Sequence, residues 1–489
     1  MQQALIGVDI GTSNIKAVAF TVDGQAISAN SLPTPTHYSK NNWAEYEADV
    51  IWQCICSCLQ SLVKELSDDY ELTGISFSSM AEAAFPLNDK AQVIYPAIAW
   101  FDNRVLPQLN WWQEEIGSDY TTAITGLNSA TAAGVLRLLW LRDEHPSIYK
   151  DVKRWLNMSD FSVFKLCAES ITDYSLASRM MTMDLATRKW SKDILDKINI
   201  NQSVFGELVP SGTKVGKVTS EAATQTGLPE GLPVSSGGHD HICAALGLGI
   251  TETGEIFDSM GTAEVVMATL DIPVLKTKIS DLGIDQGCHV IPDRYYAITG
   301  LHYSGASLDW IRNSLSLDYD ELITLAAEVP IGSDGVYYLS SLTENTQALT
   351  DPYTSKAFTG INSTTSSGHL ARAVMEGVAY EYQHLFNKVT DAFSLSPTSL
   401  VASGGSTRNA ALMDIKANVS GLPIIIPEVD EAACLGAALL AGIGAGVYKD
   451  FNDAKEQVHY SSTTITFDES AHRIYRKFYK DFFIKNLYK

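Results

Sequence analysis

The chain has 489 residues, 45% of them hydrophobic, and a mean hydropathy near zero, so it can bury large cores and is not a disordered protein. Its 35 basic and 57 acidic residues give a net charge of −22, which repels nucleic-acid phosphates and anionic membranes and sets both aside as partners. The length predicts about three domains, and no apolar run reaches the roughly eighteen residues of a membrane span. The N-terminus has no signal-peptide pattern, and seven cysteines without disulfide-like spacing fit a reducing, cytoplasmic compartment.

The opening stretch Leu5 to Phe20 reads as a β-hairpin, with an apolar run, then Asp9, then a small polar turn, Gly11-Thr12-Ser13-Asn14, and a second strand carrying Lys16. Such a turn offers N–H groups and hydroxyls to phosphate oxygens, and Asp9 stands where a hydrated Mg²⁺ is held. The plain alternative is an ordinary surface hairpin. Another strand is predicted over Gln25–Ser31, broken by Pro33 and Pro35, followed by an amphipathic helix over Ala48–Leu66 and a buried strand over Leu72–Ser79. Cys54 and Cys58 share one face of that helix and read as core packing rather than a metal site. Strand–helix–strand alternation points to an α/β domain with a mixed sheet.

The run from Tyr95 to Arg104 brings Trp100, Asp102 and Arg104 together, a chemistry suited to a polyhydroxyl ligand, although a buried Trp beside an ion pair reads equally simply. Helices are predicted over Ala133–Glu144 and Met158–Leu166. A strand over Leu232–Ser236 then runs through Gly237-Gly238-His239 into a small-residue helix with Asp240 at its N-terminus. Gly254 to Val266 repeats the opening pattern, with Asp258 ahead of Gly261-Thr262, which suggests a duplicated domain and a boundary near 247. Ser340–His369 reads as mostly loop. A long helix follows, then a strand ending in Ser403-Gly404-Gly405 ahead of Asn409 and a further helix. A small-residue helix over Glu431–Tyr448 precedes a polar tail.

Taken in order, these segments resemble the FGGY family of carbohydrate kinases over nearly the whole chain. Asp9 to Ser13 is similar to that family's first phosphate loop, Gly237 to Asp240 to its catalytic segment, Asp258 to Thr262 to its second phosphate loop, and Gly404 to Asn409 to its adenosine segment. Pro96 to Arg104 is similar to the sugar-contacting stretch of the xylulokinase and gluconokinase branches, and Ala357 to Gly360 is also typical of the family.

The resemblance implies two actin-like (ribonuclease H-like) α/β domains around a central cleft. In that arrangement residues 1–247 carry the sugar, 248–450 the nucleotide, and 451–489 form a C-terminal tail on the core. It implies ATP and Mg²⁺ as cofactors, a small sugar as partner and, as in many relatives, a homodimer. By position, Asp240 is the base and Asp9 acts through the metal. Met80, Glu82, Trp100, Asp102 and Arg104 then contact the sugar, and Thr12, Ser13, Asn14, Lys16, Gly261, Thr262, Gly305, Gly404, Gly405 and Asn409 hold the nucleotide. At a helix N-terminus Asp240 is expected to stay ionised and be a weak base, which a loose phosphoryl-transfer transition state tolerates.

Where xylulokinases carry Gln-Met-His-Gly, this chain has Ser79-Met80-Ala81-Glu82, so Glu82 either accepts from sugar hydroxyls or pairs with Arg104. A ketopentose such as xylulose leads as substrate, with gluconate or a polyol as alternatives. An actin- or chaperone-like ATPase and a non-catalytic sugar sensor are the readings from other classes.

Overall fold

The computed structural model describes residues 1–39, 41–276, 279, 281–301, 303–339 and 358–486. Ser340 to Ala357, most of the expected loop, lies outside the described residues. By compactness the chain forms two units. One comprises 1–253, 269–296 and 429–460, and the other 254–268, 297–428 and 461–489. The expected linear borders follow the order of the motifs, whereas in space the chain returns to the first unit twice.

In the first unit, strands β1 (Gln2–Ile10), β2 (Asn14–Thr21), β3 (Ala26–Pro33), β4 (Tyr70–Ser79), β5 (Lys214–Lys217) and β6 (Pro233–Ser235) run in the order β5-β6-β4-β1-β2-β3. The short strand β7 (Gly238–His239) pairs with β4 as well. The opening hairpin is as predicted: β1 and β2 are antiparallel, and the Gly11 amide donates to Asn14 O at 3.0 Å to close the turn. β1 is parallel to β4 and buried along most of its length, as its unbroken apolar run requires. The Pro33–Pro35 region breaks regular structure as expected, with Pro33 the last strand residue. Pro33 ends the edge strand β3, where a missing N–H leaves no ladder bond unmade.

Helix Ala48–Glu65 buries Cys56 and Cys58 and leaves Cys54 half-buried. The helix is covered by β2 and β3 on one side and helix Ser220–Thr226 on another, which is why Cys56, off the Cys54–Cys58 face, is buried too. All seven cysteines are free, and no group of three metal-ligating side chains occurs among the described residues.

The helices Asp240–Gly247 and Ala432–Ala445 pack backbone to backbone in this unit. A Cβ on Gly436 would stand 1.9 Å from Cys243 O, so glycine alone allows the approach.

In the second unit, strands β8 (Ile256–Met260), β9 (Glu264–Leu270), β10 (Tyr295–Leu301), β11 (Leu400–Ser403), β12 (Ile424–Pro427) and β13 (Ser462–Ile465) run β10-β9-β8-β11-β12-β13. The order β11-β8-β9-β10 repeats β4-β1-β2-β3 of the first unit, with an antiparallel hairpin followed on its other side by a parallel strand. The long helix spans Ser367–Phe393, starting two residues before the expected His369, because Ser366 and His369 form a capping box. The expected polar tail contributes β13 and helix Glu469–Phe478, and buries Tyr475 and Phe483. Among the described residues no helix is long and apolar enough to cross a membrane.

Candidate active site

Strand register assembles the first half of the site. Asp9 on β1 lies beside Ser78 on β4, and Gly238 on β7 lies on the other side of Ser78. Asp9 and the helix beginning at Asp240 therefore emerge together at the carboxyl ends of parallel strands, where α/β sheets place ligands. The Ser78 hydroxyl donates to Asp9 Oδ1 at 2.9 Å. Burial, then the nearby Asp240 carboxylate, push Asp9 up to about 7 against the pull of Ser78.

Asp240 differs from expectation. It begins its helix and accepts the His241 amide at 2.7 Å, yet burial and the Glu82 carboxylate outweigh that bond and raise it to about 7. Its side chain is 26% exposed, open enough to meet a ligand. Its carboxylate thus has near-neutral proton affinity, where the sequence predicts one that stays fully ionised.

Glu82 does not pair with Arg104. Its carboxylate accepts Arg179 Nε at 2.7 Å, and Arg179 Nη1 reaches Asp285 at 3.1 Å. Glu82 also holds a left-handed backbone, φ 68°, which a non-glycine residue adopts at some cost and which the surrounding packing must enforce. Met80 is buried, its amide donating to Ile10 O at 2.9 Å. Arg179 carries no signal in the sequence, since it sits in a short turn with no recognisable motif.

The stretch around Trp100 divides in two. Asp102 and Arg104 are buried and form a two-pronged ion pair, with Nε to Oδ1 at 2.9 Å and Nη2 to Oδ2 at 2.8 Å. Arg104 also bonds Glu45 and lies 4.4 Å over the Trp43 ring. Their charges are already consumed, so the two residues shape the segment rather than offer free charge. Trp100 is 38% exposed, and its Nε1 donates to Thr12 Oγ1 at 3.0 Å, joining the expected sugar-covering ring to the phosphate turn. Fully buried Arg137 braces this segment by donating to the carbonyls of Ala99 and Trp100. In the turn itself Ser13 and Asn14 are exposed, whereas the Lys16 ammonium is bound by Glu431 at 2.6 Å and is not free for a phosphate.

The nucleotide candidates from Gly261 onward gather in the second unit. A pocket of about 570 Å³ is lined by Gly261, Thr262, Gly305, Gly405 and Asn409, together with Asp309, Tyr319 and Arg408. The N-terminus of helix Gly305–Leu315 docks on the hairpin turn, Ala306 N donating to Thr262 O at 3.1 Å. Gly404 stands behind the pocket wall at φ 116°, where a Cβ would lie 2.3 Å from Met260 O. Asn409 caps the next helix through Leu412 N at 3.0 Å, leaving its buried Nδ2 donor without a protein partner.

A Cβ at Gly405 would meet nothing within 4 Å, and its φ is ordinary. Gly405→Val is therefore expected to fold normally and raise the KM for nucleotide at least about tenfold by filling the space a ligand would take, which steady-state kinetics beside a melting curve would check.

Asp258, which the sequence pattern pairs with Asp9, lies one residue further from its turn and is enclosed. Lys416 Nζ bonds both Asp258 and Glu264, Ser304 donates to Glu264, and all four groups are buried. The second hairpin thus lines the pocket with its turn residues and buries its carboxylate in the core.

Family models match both parts of the chain. The N-terminal domain of the FGGY family of carbohydrate kinases matches residues 4–247 and the C-terminal domain matches 258–445. The chain belongs to the FGGY family of carbohydrate kinases. Relatives include the L-fuculokinase of Escherichia coli K12, 26% identical and covering 94% of this chain and 96% of that protein. The gluconokinase of Bacillus subtilis is 25% identical over 96% of this chain and 93% of its own. Among solved structures, the xylulose kinase of Rhodospirillum rubrum superposes with a TM-score of 0.89 at 28% identity, covering 99% of this chain and 98% of that one.

This FGGY kinase is therefore a sugar kinase with the family's two-domain, actin-like fold, and the readings as a chaperone-like ATPase or a sensor fall away. The Mg²⁺ that the family implies fits the donor set of this chain. The Asp240 carboxylate is close enough to raise the proton affinity of Asp9, which a cation relieves, and one or two carboxylates suffice for an ion that keeps its waters.

The same shifts fix a pH dependence. Both carboxylates bind protons more tightly folded than unfolded, so their contribution is complete below about pH 4 and lost as pH rises through about 7. In the metal-free protein, the melting temperature should fall from pH 6 to pH 8 more steeply than in Asp240→Asn. Parallel curves would refute this account.

Proposed function

We propose that this kinase transfers the γ-phosphoryl group of ATP to a hydroxyl of a small neutral sugar, a ketopentose such as xylulose, with a polyol as the nearest alternative. The observation that carries the reading is Asp240, a partly exposed carboxylate of near-neutral proton affinity at the carboxyl end of the sheet. A base so matched takes the hydroxyl proton as the oxygen attacks phosphorus. Trp100 presents an exposed ring face for the C–H side of the sugar, and Glu82, clamped by Arg179, accepts from hydroxyls. The pocket at Gly405 and Asn409 holds the nucleotide, with the Asn409 amide free to donate. Bound through Asp9, Mg²⁺ supplies charge neutralisation for the phosphates.

The charge of the first unit's site argues against gluconate. Asp240, Glu82 and Asp285 gather around Arg179, whose guanidinium is already shared between two of them, and Asp9 adds its charge beside Asp240. An anionic sugar acid would meet net repulsion there, while a neutral ketose would find acceptors for its hydroxyls.

The test is ADP release with ATP and Mg²⁺ across ketopentoses, polyols and sugar acids. A neutral sugar is expected to give a kcat/KM at least about tenfold above any sugar acid, the scale of one unit-charge mismatch. Preference for gluconate would overturn the charge argument, and silence across the panel would overturn the substrate class.

A further inference from the structure

Asp240 has a neighbour on each side, and the one before it is the less ordinary. His239 is 6% exposed, and its Nε2 lies 3.2 Å from Asp240 Oδ1. Its Nδ1 is buried with no partner. With nothing to bond at Nδ1 and a carboxylate oxygen in contact with Nε2, the favoured tautomer carries its proton on Nε2, the atom that faces Asp240. Burial and the facing His241 ring and Arg179 guanidinium hold the imidazole neutral. The His239 ring also lies 6.5 Å from Tyr296, centroid to centroid.

The backbone of His239 is anchored independently. Its amide donates to Ser175 Oγ at 2.9 Å, and Ser175 hydroxyl and amide both donate to Asp173, the amide at 2.8 Å. Asp173 is 1% exposed and also accepts from Ser211 at 3.2 Å, so the chain ends in packed structure rather than solvent. Gly238 permits the approach, since a Cβ there would stand 3.1 Å from Ser175 Oγ.

We propose that His239 is a positioning residue for the base: Asp173 fixes Ser175, Ser175 fixes the His239 backbone, and the His239 ring holds one oxygen of Asp240. The other oxygen is thereby left to face the substrate. This inference rests on the reading of Asp240 as base, and its test separates the two.

His239→Leu removes the donor at constant bulk, while His239→Gln places an amide N–H near the position of Nε2. His239→Leu is expected to lower kcat about 10- to 100-fold, the range seen when outer hydrogen-bond partners of reactive groups are lost, with the KM for ATP within about twofold. His239→Gln should recover most of that kcat. Ser175→Ala, which leaves the ring intact, should lower kcat less and again spare the ATP KM.

Wild-type kcat in His239→Leu would overturn the proposal, as would His239→Gln being as slow as His239→Leu at equal thermal stability. Should His239→Leu fail to fold, wild-type kcat in Ser175→Ala would overturn it. Full activity in Asp240→Asn would instead remove the base reading itself, whatever the His239 variants do.

Discussion

Asp240→Asn is expected to lower kcat by about 10³-fold or more, within the range that a positioned general base contributes. The amide has the same shape and still accepts the His241 amide through its oxygen, so the helix start should survive. It cannot take a proton: its oxygen, in the place of Oδ1, stays beside both the His241 amide and His239 Nε2, and its NH₂ replaces the other carboxylate oxygen. The substitution also removes one of the crowded carboxylates that raise Asp9, so the metal-free protein should match wild type near pH 4 and be more stable than it at pH 6 and above. Loss of activity with gain of stability would mark a functional carboxylate. Turnover within about tenfold of wild type would show that the hydroxyl needs no base here, as a loose transition state allows.

Lys416→Met should have the largest effect on stability, a loss of about 3–5 kcal/mol, because it strips the counter-ion from two buried carboxylates. Asp258 and Glu264 are 0% and 1% exposed, and Lys416 Nζ also lies 3.7 Å from the centre of the Tyr382 ring, so the ammonium is enclosed with the two carboxylates it neutralises. Asp258 already stands well above the usual carboxylate range through burial and the Glu264 charge, and would protonate once Lys416 is gone. Adding Asp258→Asn and Glu264→Gln to Lys416→Met should recover part of the loss, since the uncompensated charge rather than the missing bond causes most of it. Urea unfolding of the single and triple variants would check this. Equal stability of wild type and Lys416→Met would mean that the triad is hydrated.

Much of the fold was legible because it is written in short range. The apolar run before Asp9, the glycine-bearing turn after it and the β-branched run that follows specify a hairpin within about twenty residues, and the second hairpin says the same thing again. Gly237-Gly238 before Asp240 and Gly404-Gly405 before Asn409 mark strand-to-helix turns for the same local reason. The roles of charged residues were far less legible. The partner of Lys16 is 415 residues away, that of Lys416 158 and that of Glu82 97, and no periodicity encodes such a meeting.

The sequence by itself determined the order of the motifs, and with it the family, the duplicated hairpins and the position of a carboxylate at a helix start. Only the tertiary structure decided which carboxylates are available. Asp9 lies two residues before its turn glycine and Asp258 three, so the pleat sends them to opposite faces of their hairpins, and Asp9 has a neutral serine beside it where Asp258 has a buried lysine. The difference is physical: a charge is set by what lies within a few ångströms of it, and Lys416 reaches Asp258 only once helix and sheet have packed.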